Sequence, residues 1–171
     1  MLLTFRPFKV GDVINVAGNT GGVEEIGLFT TAMNTPDNRH IIVPNSAVFG
    51  ATIVNITHNT SRRVDISVGV DYDAKIDDVR EVLKGCIKNI PSRDASRDDE
   101  HQVFLVGLGG SSVDWQVRVH GPTDKYWDIH QETIRAIKMA LDGADIGIPY
   151  PNVVVHTAAD PAAAAAASTQ A

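Results

Sequence analysis

The most restrictive feature of this chain is a switch in the spacing of its apolar residues after Arg62, from period two to helical period and back, made twice. Val64, Ile66, Val68 and Val70 alternate with Asp65, Ser67 and Gly69, which gives a strand with one apolar face. Ile76, Val79, Leu83, Cys86, Ile87 and Ile90 then recur at helical spacing, with Asp73 as the expected cap and Pro91 beyond the end. Gln102 to Val106 reads as a short strand ending at Gly107-Leu108-Gly109-Gly110. Val113, Trp115, Val117 and Val119 alternate next, with Asp114, Gln116, Arg118 and His120 on the other face. A second helix is expected from about Asp124 to Asp142, its stripe made of Tyr126, His130, Ile134, Ile137 and Leu141 and its stop Gly143. A last strand, Asn152 to Thr157, follows Pro149-Tyr150-Pro151. The order is β-α-β-β-α-β, a split βαβ or ferredoxin-like unit in which two helices cover one face of an antiparallel sheet.

Upstream the pattern is mainly β. Gly11-Asp12, Gly18-Asn19, Gly21-Gly22 and Thr35-Pro36-Asp37-Asn38 mark breaks between candidate strands Asp12 to Val16, Val23 to Met33, His40 to Val43 and Thr52 to Thr57. In the second of these, Ile26, Leu28, Thr30 and Ala32 share one face, and Val23, Phe29 and Met33 the other. So few strands stabilise themselves best by curling into a small barrel. Composition changes after His58-Asn59-Thr60-Ser61-Arg62-Arg63, where a domain boundary is expected.

At 171 residues and 43% hydrophobic content the chain is folded rather than disordered, and large enough for one full core or two small ones. Fifteen basic and 21 acidic side chains leave a formal charge of −6, which argues against gripping nucleic acid phosphates or anionic lipid heads. A lone cysteine, Cys86, excludes an internal disulfide and is expected as a buried thiol. The apolar opening Met1 to Phe8 is far shorter than the roughly 20 residues needed to cross a bilayer, and lacks the features of a secretory signal. The six alanines Ala162 to Ala167 lack larger apolar partners and are expected to form a frayed tail.

No constellation points to catalysis or a cofactor. The histidines at 40, 58, 101, 120, 130 and 156 lack zinc-site spacing and are expected at the surface or half-buried. The glycines at 107, 109 and 110 precede a strand, whereas a phosphate loop must open a helix, so a tight hairpin is the better assignment. Asn55-Ile56-Thr57 and Asn59-Thr60-Ser61 match glycosylation acceptors, which have meaning only in a secreted chain. Arg62-Arg63 can bind an anion or a neighbour's carboxylate, or stand as a solvated pair. Two rivals remain. A nucleic-acid or protein binding module on a small barrel would need exposed sheet aromatics and a basic face, whereas Trp115 sits on the apolar stripe. An acyl-phosphate hydrolase would need an arginine cradle, whereas the turn at Asp71-Tyr72-Asp73 is acidic.

An ordered series of short motifs runs from Phe5 to Thr157: Arg6-Pro7-Phe8, Val10-Gly11-Asp12, Gly22-Val23-Glu24-Glu25-Ile26, Thr30-Thr31, Val43-Pro44-Asn45 and Asn55. It continues as Gly69-Val70-Asp71-Tyr72-Asp73, Leu108 with Gly110-Ser111-Ser112-Val113, Tyr126-Trp127 and Ile148-Pro149-Tyr150-Pro151. No one motif is diagnostic, but the ordered set resembles the cytoplasmic β and α/β domains of small-conductance mechanosensitive channels.

The resemblance implies a fold, mainly β plus α+β: the end of a pore helix over residues 1–8, an Sm-like β barrel over 9–60, an α/β domain over 61–151, a strand for an oligomeric barrel over 152–157, and the tail. Pro7 and Phe8 would end the pore helix; Gly11-Asp12 and Gly22 would supply turns; Pro44-Asn45 would close a strand. Asn55, Pro149 and Pro151 complete the family positions. Seven copies are implied around a hollow vestibule, at the cytoplasmic face of the inner membrane, joined to it by transmembrane helices that this chain lacks. Its role would be to release ions and small osmolytes under membrane tension, with no enzyme activity, cofactor, metal or nucleic-acid partner. Arg62, Arg63, Asp65 and the turn containing Gly109, Gly110 and Ser111 would lie near the domain junction, where side portals open.

Overall fold

The structure, a computed structural model, describes residues 7–153. The first half is a sheet of β1 (Val13–Val16), β2 (Asn19–Ile26), β3 (Thr30–Asn34), β4 (His40–Pro44) and β5 (Val54–Asn55), with α1 (Asn45–Gly50) between the last two. Its order is β4-β3-β2-β1-β5, all antiparallel. Ile14 and Val16 of β1 point inward and pack with Phe8, Val23, Met33, Val43 and Val48 into one apolar cluster.

Turn chemistry sets this sheet's register. Val16 pairs with Asn19, so Ala17-Gly18 alone joins β1 to β2, and both have positive φ, 50° and 79°. That is the conformation a two-residue hairpin needs for its strands to twist together. Gly22, expected in a turn, lies inside β2 opposite Val13 and Asn34. Of the two glycines Gly21 is the crowded one: a Cβ there would stand 2.7 Å from the Asn34 carbonyl oxygen, whereas at Gly22 the same oxygen would be 3.9 Å away, an ordinary contact.

The expected single strand Val23 to Met33 is two strands. The chain reverses over Gly27-Leu28-Phe29, where the Gly27 N–H donates to the Thr30 carbonyl at 2.8 Å. Apolar alternation continues through the turn because Leu28 and Phe29, 73% and 78% exposed, are surface residues that resemble core residues by type alone. The expected strand Thr52 to Thr57 shrinks to β5, and α1 was not anticipated, being six residues long and too short to show a period. The outer edges of β4 and β5 do not pair, so these residues form an open sheet, not the closed barrel expected.

The second half comprises β6 (Ser61–Val70), α2 (Ile76–Ile87), a 3-10 segment (Ala95–Glu100), β7 (Gln102–Leu108), β8 (Val113–Pro122), a 3-10 turn (Thr123–Lys125) and α3 (Tyr126–Gly143). The sheet order β6-β8-β7 is antiparallel throughout. Central β8 alternates buried and half-buried residues over its length, and Val113, Trp115, Val117 and Val119 face the core with Val64, Leu83, Ile129 and Leu141. Both helices cover that face, as the sequence pattern required.

Three details depart from expectation. Asp73 does not cap α2; Lys75 occupies the cap with no side-chain bond, while Asp77 and Asp78 favour the helix dipole from the first turn. The buried stripe of α3 is Ile129, Thr133, Ile137 and Leu141, with His130 half-buried and Ile134 47% exposed. Thr133 fits the core because its hydroxyl donates to the Ile129 carbonyl at 2.6 Å, which a count of apolar residues cannot anticipate. After α3 the chain returns beside the end of β6 through a bond from the Asp71 N–H to the Gly147 carbonyl, at 2.9 Å, and Asn152 and Val153 are not in a strand. The rest of the expected last strand, and the alanine tail, lie outside the described residues.

Candidate functional site

The family-motif residues gather into separate clamps rather than one pocket. Asp12 precedes β1, and Gly11 before it has φ 93°. Asp12 Oδ2 accepts from Asn55 Nδ2 at 2.8 Å and from the Lys9 N–H at 3.1 Å. Asn55 Oδ1 accepts from the Thr57 N–H at 3.2 Å, and Thr57 Oγ1 accepts from the Val13 N–H at 2.9 Å. The clamp joins residues 43 apart in sequence and borders a cavity of about 450 Å³ with Pro7, Phe8 and His58. Burial would raise the Asp12 pKa, but the bonds from Asn55 and Lys9, together with the nearby charges of Lys9 and His58, outweigh it and hold the carboxyl below its ordinary value.

Asn45 makes the second clamp. Pro44 ends β4, and Asn45 then opens α1. Its Nδ2 donates to the Gly27 and Leu28 carbonyls at 3.0 and 3.1 Å, its Oδ1 accepts from Thr31 Oγ1 at 2.8 Å, and its N–H donates to the Phe29 carbonyl at 2.8 Å. One asparagine thus satisfies three carbonyls of the β2–β3 turn and the fully buried Thr31 hydroxyl. Thr31 belongs to a motif quoted for the resemblance; its partnership with Asn45 is what sequence alone did not disclose.

Arg62, Arg63 and Asp65 lie at the start of β6, opposite Gly121, His120 and Arg118 of β8. The Arg63 guanidinium binds Asp65 in a fork, Nε to Oδ1 at 2.7 Å and Nη2 to Oδ2 at 3.0 Å. Arg118 stands 3.8 Å from the same carboxylate and lies over the Phe104 ring at 4.5 Å. Arg62 lies 4.0 Å over the Tyr126 ring, and Tyr126 meets the 71%-exposed Trp127 edge-on. Neither arginine is simply solvated.

Gly109, Gly110 and Ser111 are elsewhere. They form the β7–β8 turn, beside the Val70–Val113 pair at the far end of the sheet, seven strand residues or about 23 Å from Arg63. The expectation that this turn shares the junction with the arginines is therefore corrected: an antiparallel hairpin has its turn at one end and its open termini at the other. The hairpin assignment itself is right, since the Gly109 N–H donates to the Ser112 carbonyl at 2.7 Å. Tyr72 donates its hydroxyl to the Gly109 carbonyl at 2.5 Å, and Ser111 Oγ accepts from the Asn152 N–H at 3.1 Å. The turn thereby holds the segment containing Pro149 and Pro151 as it leaves the domain.

Chemically these clusters fix backbone; they do not present reactive groups. Cys86 donates to the Leu83 carbonyl at 3.1 Å, and burial pushes its thiol up to about 11. Among the described residues no group of three His, Cys, Asp or Glu is placed to hold a metal ion, and no helix is long and apolar enough to cross a membrane. Trp115, 1% exposed, offers no stacking platform on the sheet.

Comparison with known proteins gives the context. Residues 1–58 match the family model "Mechanosensitive ion channel, beta-domain", and residues 64–148 match "Mechanosensitive ion channel MscS, C-terminal". A small-conductance mechanosensitive channel of Edwardsiella ictaluri is 40% identical over 156 residues, covering 91% of this chain and 54% of that protein. One of Helicobacter pylori is 30% identical over 154 residues, covering 88% and 54%. The closed-state crystal structure of Helicobacter pylori MscS superposes with a TM-score of 0.84 at 29% identity, over 93% of this chain and 62% of that one. Arabidopsis thaliana MSL1 shares the fold, with a TM-score of 0.75 at 18% identity. The chain spans about half the length of the curated relatives it matches. With both matches falling in family order on its two sheets, the chain belongs to the MscS family of mechanosensitive channels, not to an enzyme family, and carries that family's β and C-terminal domains.

Proposed function

We propose that this chain forms the vestibule on the cytoplasmic face of a membrane channel that releases ions and small osmolytes when hypo-osmotic stress stretches the membrane. The carrying observation is that two domain matches of one channel family, in order, cover residues 1–58 and 64–148. Seven copies form the cage, with residues 9–60 as an Sm-like collar, 61–151 as the wall and 152–157 as strands of an axial barrel. Pore and tension-sensing helices join it to the inner membrane.

The open sheet supports assembly. The free edges of β4 and β5 carry Ile42 and Val54, 61% and 52% exposed, and unpaired apolar edges seek another strand. A ring of copies places one edge against the other and leaves none free. Arg62, Arg63 and Asp65 border the side portals in this arrangement, and the net charge of −6 biases which ions reach the pore. The turn at Gly109, Gly110 and Ser111 instead directs each chain toward the axis.

Native mass spectrometry of the chain at micromolar concentration tests the proposal. A particle of seven protomers is the expected result. A monomer across the accessible concentration range would overturn the self-assembling cage.

A further inference from the structure

Two of the six histidines, expected to be scattered at the surface or half-buried, are stacked together at the edge of the second sheet. The His101 and His120 rings lie 6.1 Å apart at an interplanar angle of 20°. The side chain of His101 is 3% exposed and that of His120 18%. Their placement follows from where β7 stops. The β7–β8 ladder ends at the Gln102–Arg118 pair, so the His120 N–H, two residues further along β8, has no strand acceptor on that side. His101 Nδ1 takes its place, accepting the His120 N–H at 3.2 Å, while the His120 carbonyl accepts the Asp94 N–H at 2.9 Å. An imidazole thus substitutes for one rung of the ladder, and it anchors the segment 93–101 to β8.

This rung requires a particular protonation state. Nδ1 accepts only when it carries no proton, so His101 is the neutral Nε2–H tautomer. Protonating Nδ1 would set one N–H against another in a buried place. We propose that His101 and His120 form a proton-operated latch, closed when His101 is neutral, that frees residues 93–101 from the sheet edge on acidification while the core of the domain stays folded. Room for the ring to leave exists, since a cavity of about 400 Å³ adjoins His101 between α2 and β7.

The surrounding charges fix the direction. From the 3-10 segment, Asp98 Oδ1 lies 3.4 Å from His101 Nε2 and Glu100 Oε2 lies 3.9 Å from His120 Nε2, while Asp94 and Arg97 pair with each other at 3.7 Å. Arg93 binds Asp98 at 3.2 Å and so weakens that carboxylate's hold on a histidine proton. Lys84 of α2 and Lys88 just beyond its end line the same cavity; Arg63 and Asp65 of β6 and Arg118 of β8 are engaged with one another; Glu132 of α3 is bound by Ser92. Burial is the largest influence and pushes the His101 pKa below its ordinary 6.5, with His120 and Arg93 adding to it and Asp98 and the Asp94 backbone opposing. A histidine depressed in the folded state contributes stability that is complete above about 6.5 and is lost as pH falls through the lower folded value. The latch therefore holds at neutral pH and opens in mild acid.

Amide hydrogen exchange on the whole chain, corrected for the intrinsic pH dependence of exchange, tests it. Between pH 7.5 and 5.0 the Asp94 and His120 amides should lose about tenfold in protection, the effect of one hydrogen bond, while Val64 and Val117 amides keep theirs. His101→Asn retains a short-side-chain acceptor that does not titrate, and its protection should be flat over that range. Unchanged protection in the wild type, parallel loss at Val64 and Val117, or a wild-type pH response in His101→Asn would each overturn the latch. Should that variant not fold, the His101 ring protons of the wild type serve instead: they must titrate in step with the amides, and a ring that stays neutral while protection falls is equally fatal.

Discussion

Asn45→Ala is the sharpest test of how the first sheet is held. The substitution removes two bonds to the Gly27 and Leu28 carbonyls and one from Thr31 Oγ1. The carbonyls border exposed residues and can turn to water, so their loss costs about 0.5 kcal/mol each. The Thr31 hydroxyl is different. It is fully buried, and stranding it without an acceptor costs about 1–3 kcal/mol. The expected total is about 2–4 kcal/mol, at least half of it from a residue that was not changed. That origin gives the control: Thr31→Val removes the hydroxyl while keeping the shape, so the double variant should be more stable than the sum of the single effects by at least about 1 kcal/mol. Residues 1–60 contain no Trp or Tyr, so tryptophan fluorescence would report the wrong half; urea unfolding should be followed by far-UV circular dichroism, with the Thr31 and Met33 amides followed by NMR. Strict additivity, or a loss below about 0.5 kcal/mol for Asn45→Ala, would refute the clamp.

Gly121→Ala should destabilise the second half by about 1–3 kcal/mol, because its Cβ would stand 2.2 Å from Ile129 Cδ1. Ile129→Val removes that methyl group and should recover part of the loss, read from the fluorescence of Trp115 and Trp127 in urea. Asp12 is held below the ordinary carboxylate value, so its contribution is complete above about pH 4 and disappears as pH falls through its lower folded value. Asp12→Asn should therefore lower stability at neutral pH and flatten the fall of the first half's thermal midpoint between pH 5 and 3; an unchanged acid slope would show that the Asn55 clamp does not hold a charge.

What the sequence disclosed follows from the range of the interactions involved. The period switches that marked β6, α2, β8 and α3 are local, since each element buries its own stripe against a shared core, and they survive in the folded chain with shifts of a few residues. The single strand expected over Val23 to Met33 failed because its turn is secured by Asn45, 17 and 18 residues away from the carbonyls it binds. Gly22 was misplaced because its strand pairing with Val13 and Asn34 is non-local, and the close approach that excludes a side chain, to the Asn34 backbone, is at its neighbour Gly21.

The candidate residues divide along the same line. Pairs joined within one strand, such as Arg63 and Asp65, could be connected by alternation alone, because i and i+2 share a face. Asp12 with Asn55, Tyr72 with Gly109, and His101 with His120 lie 43, 37 and 19 residues apart, and only the sheet register brings them together. The histidines show what this costs a reading from sequence. Each alone has the composition of an ordinary surface residue, but once β7 ends at Gln102 while β8 continues past Arg118, the unpaired His120 N–H needs a partner, and the residue just before β7 is His101. The unequal strand lengths create the buried rung, and the side chain that fills it can be switched off by a proton.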